Sequence, residues 1–466
     1  MDRRPAGEVF SPSGRTTAQV TATAPEGLLR YRIVRSILTS AFFPGILRAA
    51  SVAFFALVLY FALFGTDRGG QNFATRITWT IWWPLLPISL VLFGRLWCAV
   101  CPLVAAADVV QSVARPRRDI APLFLRKYGT WLMALTFIFL TWIDRVANIT
   151  GTPRATGILL AVLLGGVVLD GMLFRRRVWC RYVCPIGALT GLYSMASVVE
   201  LRARPGACVG CRTKDCYQGN ERAAGCPLME FPRAMESNRH CSLCANCLKS
   251  CPHESLELKL RPPWKELSNI KQPVLAESFL ALAMVALVYV QSFDMTVAWG
   301  DYMKLLIVNT GLEDYNLAFS LTFLAVIAAA LGSFWLTSGL SARLSGLATR
   351  QEFCRYGYAY LPIALAGHLG HNLTHLVGEG PSALVIAGQQ LGLPLAPPAE
   401  GAMADVGWLA FVILATGSAL ALWVARAIGQ SSPRPASALP HVALLIVFVV
   451  VFALMFALPM NPRHVH

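Results

Sequence analysis

Long runs of apolar residues alternate with short polar or basic segments along most of the chain. An apolar run of about 17 to 25 residues is long enough to cross the hydrocarbon core of a bilayer as a helix. The pattern therefore predicts a polytopic α-helical membrane protein with about nine spans. The predicted spans are residues 49–65, 77–95, 129–147, 155–174, 274–292, 317–340, 356–377, 406–427 and 440–458.

The longest polar interruption lies between the fourth and fifth predicted spans, and it is rich in cysteine. It divides the chain into four expected parts. These are a flexible cytoplasmic tail at 1–36, a four-span membrane domain with two cysteine pairs at 37–199, a cysteine-rich domain at 200–262, and a five-span membrane domain with intramembrane histidines at 263–466.

Composition and charge agree with a membrane protein. Of the 466 residues, 56% are hydrophobic and 14% are charged, which is the balance of a membrane chain. The net charge of +15 comes largely from arginines that flank the spans, so we expect a membrane surface and no nucleic acid as its partner. Residues 1–36 have no apolar core of a secretory signal.

The basic loops also predict sidedness. Arginine-rich loops follow every second span, and such loops stay in the cytoplasm. The N-terminus and the cysteine-rich domain are therefore expected to be cytoplasmic, and the C-terminus periplasmic. The expected location is the bacterial inner membrane.

The cysteine-rich domain contains a C-x2-C-x2-C-x3-C-P run, which is typical of bacterial [4Fe–4S] proteins. A second, less regular run, C-x2-C-x4-C-x9-C-P, lies just upstream. In two-cluster ferredoxins the cysteine before proline serves the other cluster, which predicts an inserted bacterial-type 2[4Fe–4S] domain of α+β fold. Structural zinc is the alternative. The predicted ligands are Cys208, Cys211, Cys216 and Cys251 for one cluster and Cys226, Cys241, Cys244 and Cys247 for the other.

A repeated element, R-[LV]-W-C followed by C-P, ends the second and fourth spans. The basic-loop parity places its four cysteines, Cys98, Cys101, Cys180 and Cys184, on one face of the membrane. They could hold a further Fe–S centre, or they could be structural thiols at tight helix ends. Arg95 and Arg177 suit snorkelling or contact with lipid phosphate, and Trp97 and Trp179 suit the membrane interface. Cys354 stands alone and is expected to be a buried small hydrophobe.

A ferredoxin segment behind two membrane C-P pairs resembles the NapH-, NosR- and CcoG-type membrane polyferredoxins over about residues 45–260. The resemblance implies electron transfer between the quinone pool or cytoplasmic donors and periplasmic redox systems, and in some members metal reduction during oxidase assembly. This chain differs in its first C-P pair, which has two intervening residues where the family usually has three. It also has five predicted spans after the ferredoxin segment and no periplasmic flavin domain.

The seventh predicted span carries His368, His371 and His375 on one helical face. Ionisable residues inside a span are functional candidates. The histidines could ligate haem b, accept protons at a quinol site, bind copper or another metal together with His464 and His466, or only hydrogen-bond between helices. His441 is the other intramembrane histidine and lies near the cytoplasmic face.

Together these features predict a membrane-bound iron–sulfur electron-transfer protein, with a redox partner protein and with quinol oxidoreductase activity as an open question. The alternatives are a maturation factor that reduces a metal such as copper for a respiratory metalloenzyme, and a redox-sensing regulator. The catalytic residues, the direction of electron flow, the donor and the acceptor do not follow from the sequence.

Overall fold

The computed structural model describes residues 27–116, 118–204, 206, 208, 211–396 and 407–461. The described chain is mostly helical, with four short strands in the cysteine-rich domain. The first helices are α1 (Arg32–Thr39), α2 (Gly45–Phe64), α3 (Phe73–Thr75), α4 (Trp83–Phe93), α5 (Leu96–Val100), α6 (Pro102–Ala114), α7 (Leu123–Val146), α8 (Pro153–Leu173), α9 (Val178–Tyr182) and α10 (Pro185–Ser194). A π-helical segment, Arg76–Trp82, joins α3 and α4 into one continuous helix.

The cysteine-rich domain follows, and then the C-terminal helices. Its elements are β1 (Val199–Ala203), α11 (Asp215–Gln218), β2 (Gly219–Asn220), β3 (Ala223–Ala224), α12 (Asn246–Ser250) and β4 (Leu256–Leu260). The later helices are α13 (Leu275–Phe293), α14 (Val297–Thr310), α15 (Tyr315–Ser345), α16 (Thr349–Tyr356), α17 (Leu361–Gln390), α18 (Gly407–Gln430) and α19 (Leu439–Phe456).

Eight helices of the described residues are long and apolar enough to cross a membrane. They correspond, within a few residues at each end, to eight of the nine predicted spans. The remaining predicted span, 356–377, lies mainly in α17, which is long enough but is not among these eight. Three histidines and an asparagine reduce its apolar character.

The core of the membrane region is built around α13, of which almost every side chain is buried. Because α13 is apolar on all sides, it is stable only inside a ring of other helices. Helices α7, α15, α17 and α19 pack against it. The first turns of α17 are buried in the same way, and α18 approaches α17 at Gly417, where a Cβ would lie 2.8 Å from the Pro362 carbonyl oxygen. Small residues allow such close helix contacts.

The cysteine-rich domain has two β–α–β halves. Strand β1 pairs antiparallel with β4, so the first strand of one half joins the last strand of the other, and β2 pairs with β3. The halves contact each other through α11 and α12.

Part of the predicted flexible tail is ordered. Residues 27–36 form a bridge from Gly27 to Leu258, a 3-10 turn and the start of α1. Leu29 is buried against Val199 and Leu201 of the cysteine-rich domain. The prediction of a flexible tail is therefore wrong for these residues, because their apolar side chains complete a small core. Residues 1–26 lie outside the described part.

Candidate functional site: three cysteine groups and an intramembrane cavity

The two repeated elements fold alike. In each copy a five-residue helix, α5 or α9, carries the first cysteine, and a following helix begins at the proline after the second cysteine. Proline is favoured at this first helical position because its missing N–H would have no partner there. Cys101 and Cys184 are the N-cap residues of α6 and α10, with nearly equal backbone angles. Helix N-termini stabilise negative charge, which suits a thiolate ligand.

The structure brings the four membrane cysteines together. Burial raises the pKa of Cys101 to about 12 and that of Cys184 to about 11. A neighbouring thiol of the other repeat raises each of these pKa values further. Burial also raises the pKa of Cys180 well above its usual value. Cys184, Cys101 and Cys98 each raise this pKa further. Backbone N–H groups act in the opposite direction, including the Gly187 N–H that donates to Cys184 Sγ over 3.3 Å. We call Cys98, Cys101, Cys180 and Cys184 the membrane cysteine group.

The cysteine-rich domain contains two further groups of cysteines, which we define by the ligand sets expected from the spacing. In the first, burial raises the pKa of Cys216 to about 11, and the next largest contribution comes from Cys251, ahead of Cys208 and Cys211. In the second, burial raises the pKa of Cys241 to about 12, and Cys244 and Cys226 contribute. The first cysteine group is Cys208, Cys211, Cys216 and Cys251. The second cysteine group is Cys226, Cys241, Cys244 and Cys247.

The three groups are neighbours in space. Burial is the main cause of the raised pKa of Cys247, and Cys216 of the first group also contributes to it. Arg48 interacts electrostatically with Cys244 of the second group and with Cys101 of the membrane group. The second group is therefore near both the first group and the membrane group.

Arginines of the repeat connect the second group to the membrane group. Arg95 donates to the carbonyl oxygens of Arg239 and Cys180. The backbone N–H of Arg177 donates to the Pro227 carbonyl oxygen over 3.1 Å. Both side chains are nearly fully buried, with exposed fractions of 2% and 4%. The prediction that they snorkel is wrong, because their guanidinium groups form hydrogen bonds inside the protein.

One carboxylate at this junction was not recognised in the sequence. Asp108 lies on α6 and accepts from Arg48 at 2.7 Å and from Arg177 at 2.8 Å. Arg48 also donates to the Ala99 carbonyl oxygen over 2.6 Å, between the cysteines of the first repeat. Asp108 sits seven residues after Cys101, but no local pattern marks it, since its partners come from other helices.

A large cavity extends from the membrane cysteine group into the helical region. Its volume is about 850 Å³, and it is lined by all four membrane cysteines and mostly by apolar side chains. Trp79, Trp82, Trp83, Trp97 and Trp179 contribute to its wall. Its far end is lined by the Arg145–Asp294 ion pair, whose atoms lie 2.5 Å apart. Tryptophans 97 and 179 thus line this cavity.

The three predicted histidines of α17 are buried, and His371 lines the cavity. His368 Nδ1 lies 3.4 Å from the Tyr193 hydroxyl oxygen, and His375 Nδ1 lies 2.7 Å from Glu379 Oε1. The rings of His371 and His375 are 5.0 Å apart. His441 is elsewhere, stacked on Tyr356 with the ring centroids 4.0 Å apart. His464 and His466 lie outside the described residues.

The donor sets fit Fe–S clusters better than isolated structural thiols. All thirteen cysteines are free, and twelve of them form the three groups. Buried thiols with raised pKa values lose their protons on binding a metal, which offsets both the burial and the mutual repulsion of the thiolates. Within the described residues, no three or more His, Cys, Asp or Glu side chains are grouped so that they could hold a single metal ion. Cys354 is buried on α16, away from the groups.

Comparisons with known proteins agree with the repeat. The sequence model of the 4Fe-4S binding domain family matches residues 75–121 and 156–202, each stretch containing one C-P pair. A protein of Escherichia coli (strain K12) named "Putative electron transport protein YccM" is 33% identical over 100 residues, which cover 21% of this chain. The chain spans only about a quarter of that protein's length, 26%.

An archaeal relative covers more of the chain. An uncharacterized protein of Methanocaldococcus jannaschii, MJ0749, is 27% identical over 231 residues, which cover 49% of this chain and 87% of the relative. No solved structure matches. The chain is a helical membrane protein that carries a 4Fe-4S binding domain in two copies.

Proposed function

We propose that this protein transfers electrons through the membrane region between cytoplasmic or quinone-pool donors and a membrane or periplasmic redox partner. The observation that carries the proposal is that the second cysteine group is near both of the other groups. Each group offers four thiols, and hydrogen bonds of Arg95 and Arg177 connect the second group to the membrane group. The name of the Escherichia coli relative points in the same direction.

In this proposal each cysteine group holds one [4Fe–4S] cluster, which when bound supplies a one-electron site. The protein's own residues hold the clusters, exclude water and fix their order. Helix N-termini at Cys101 and Cys184 favour the thiolate form. The buried Arg95 and Arg177 place positive charge beside the membrane group, which favours the extra electron of a reduced centre.

We further propose that the cavity binds quinol. Its apolar lining suits an isoprenoid chain, its volume is in the range of small-molecule sites, and one end reaches the membrane cysteine group. His371 is the histidine that lines this cavity, and His375 follows one turn later beside Glu379. In this role the His371 imidazole accepts a proton as quinol is oxidised. A haem with two histidine ligands finds less support, because His441 packs against Tyr356.

Replacing His371 by alanine is expected to slow quinol-driven reduction of the clusters by about 100-fold, since a positioned base typically contributes 10²–10⁴-fold. Reduction by dithionite should be unchanged, because it needs no proton acceptor in the cavity. Stopped-flow absorbance of the clusters measures both rates. His441→Ala is the matched control, as His441 is also buried but contacts Tyr356. Equal quinol rates in His371→Ala and in the unaltered protein would refute the quinol site.

The proposal places the cysteine-rich domain in the cytoplasm and the C-terminus in the periplasm, with α17 as a ninth span. Contacts of α17 support this: Tyr358, just before it, bonds to Glu277 at the start of α13, whereas Gln390 at its end accepts from the Phe73 N–H. A reporter active only in the periplasm should be active when fused after His466 and silent when fused after Gly346. The opposite result would overturn the orientation.

A further inference from the structure

A basic cleft is lined by residues of both the membrane domain and the cysteine-rich domain. Its volume is about 970 Å³. Among the described residues that line it, seven are cationic and three are carboxylates. The cations are Arg35, Arg48, Arg175, Arg176, Arg177, Arg222 and Lys249, and the carboxylates are Asp108, Asp119 and Glu254.

The carboxylates do not neutralise the cleft. Asp108 is shared by Arg48 and Arg177. Asp119 and Glu254 each pair with one arginine at the surface, Arg175 and Arg35. Arg176 and Lys249 donate instead to the backbone carbonyl oxygens of Cys226 and Phe43. Within the described chain, Arg176, Arg222 and Lys249 form no ion pair with a carboxylate.

The cleft lies where spanning helices end. Pro44 and Gly45, at the beginning of α2, line it, and Arg175 lies two residues after the end of α8. Both helices are among the candidate spans. Beside the cleft, Phe42 and Ile46 are 70% and 64% exposed. Cations at headgroup level next to outward-facing apolar side chains match the two parts of a phospholipid.

From these features we propose that the cleft binds the phosphate headgroup of an anionic phospholipid of the adjacent leaflet, with the acyl chains along Phe42 and Ile46. Guanidinium groups suit phosphate because they donate in a planar, bidentate arrangement. Each cation near the membrane surface adds about 1 kcal/mol to the attraction of acidic lipid, equivalent to about fivefold in affinity. Cys226 and Cys251 also line the cleft, so the bound anion lies beside both groups of the cysteine-rich domain.

Two exposed ion pairs at the opposite ends of α8 provide the test. Arg175, just after α8, pairs with Asp119 at 3.5 Å, and Arg154, in its first turn, pairs with Asp67 at 3.1 Å. Both pairs are more than half exposed, but only Arg175 lines the cleft. Arg175→Gln should weaken binding about fivefold, Arg154→Gln should leave it unchanged, and Asp119→Asn should tighten it severalfold by releasing Arg175.

The measurement is native mass spectrometry of the intact protein in detergent, titrated with dioctanoyl phosphatidylglycerol and, for comparison, with dioctanoyl phosphatidylcholine. A gain in affinity for Asp119→Asn cannot come from misfolding. Equal losses in Arg175→Gln and Arg154→Gln, or no gain in Asp119→Asn, would overturn the site. If inorganic pyrophosphate binds as tightly as the lipid and responds to the same variants, the occupant is a soluble phosphate compound and the lipid proposal is wrong.

A second readout rests on the proposed function. Negative charge beside a cluster disfavours the extra electron, so phosphatidylglycerol should shift the midpoint potentials of the cysteine-rich domain to more negative values than phosphatidylcholine does. The shift should be smaller in Arg175→Gln. If the lipid binds but no cluster signal is found, the headgroup site is supported and only the cluster assignment is refuted. The two proposals can therefore be tested separately.

Discussion

Replacing Cys98 and Cys180 together by serine is expected to lower the iron content of the purified protein from about twelve to about eight atoms per chain, because each [4Fe–4S] cluster holds four irons. The two residues come from different repeats and lie in one group with Cys101 and Cys184. Serine keeps the size of the side chain but not the readily ionised thiol, and the thiolate is the metal ligand.

Cys354→Ser is the matched control for this experiment. Cys354 is buried and belongs to none of the three groups, so its replacement should leave all irons in place. Anaerobic purification followed by iron and sulfide assays and EPR measures the outcome. Unchanged iron and unchanged EPR signals in the double variant would show that the membrane cysteines are structural thiols. Bound zinc in place of iron would refute the cluster assignment as a whole.

Asp108→Asn is expected to lower the free energy of unfolding by about 2 kcal/mol and to slow electron passage between the cysteine-rich domain and the membrane group. Removing one partner of a buried ion pair leaves the other charge uncompensated, which costs about 3–5 kcal/mol when burial is complete. Asp108 is 34% exposed, whereas Arg177 is 5% exposed, so solvent screening reduces the cost. Two guanidinium groups would then face each other without an acid between them.

Chemical unfolding in detergent, followed by tryptophan fluorescence, measures the stability change. The control is Asp119→Asn, which removes an exposed partner of Arg175 and should change stability by less than about 0.5 kcal/mol. A flash-reduction or stopped-flow experiment measures the rate of electron passage between the cysteine-rich domain and the membrane group. If Asp108→Asn is as stable as Asp119→Asn, the Arg48–Asp108–Arg177 contact does not stabilise the fold.

Local patterns revealed the spans and the cysteine motifs. A run of apolar residues is recognisable wherever it occurs, because every side chain of a spanning helix faces lipid or other helices. Eight predicted spans match candidate helices of the structure, and the repeated C-P element matches the 4Fe-4S binding domain family. The spacing of the three histidines predicted that they share one face of a helix. The length of α17 and the burial of these histidines were not evident from the sequence.

Other features depend on residues that are distant in the chain, and local patterns could not show them. Arg95 contacts the carbonyl oxygen of Arg239, 144 positions later, and Asp108 meets Arg177, 69 positions later. In the sequence alone, Arg95 and Arg177 resembled lipid-facing residues at helix ends. The folded conformation of residues 27–36 likewise depends on packing against the apolar side chains of β1 and β4.

The sequence by itself determined that the chain is a helical membrane protein with twelve cysteines in motif-like groups, because hydropathy and ligand spacing are local properties. The tertiary structure decided that the three groups are neighbours, that buried arginines connect two of them, and that His371 shares a cavity with the membrane cysteines. These relations arise when helices pack, since burial forces each charged side chain to find a partner wherever the fold provides one.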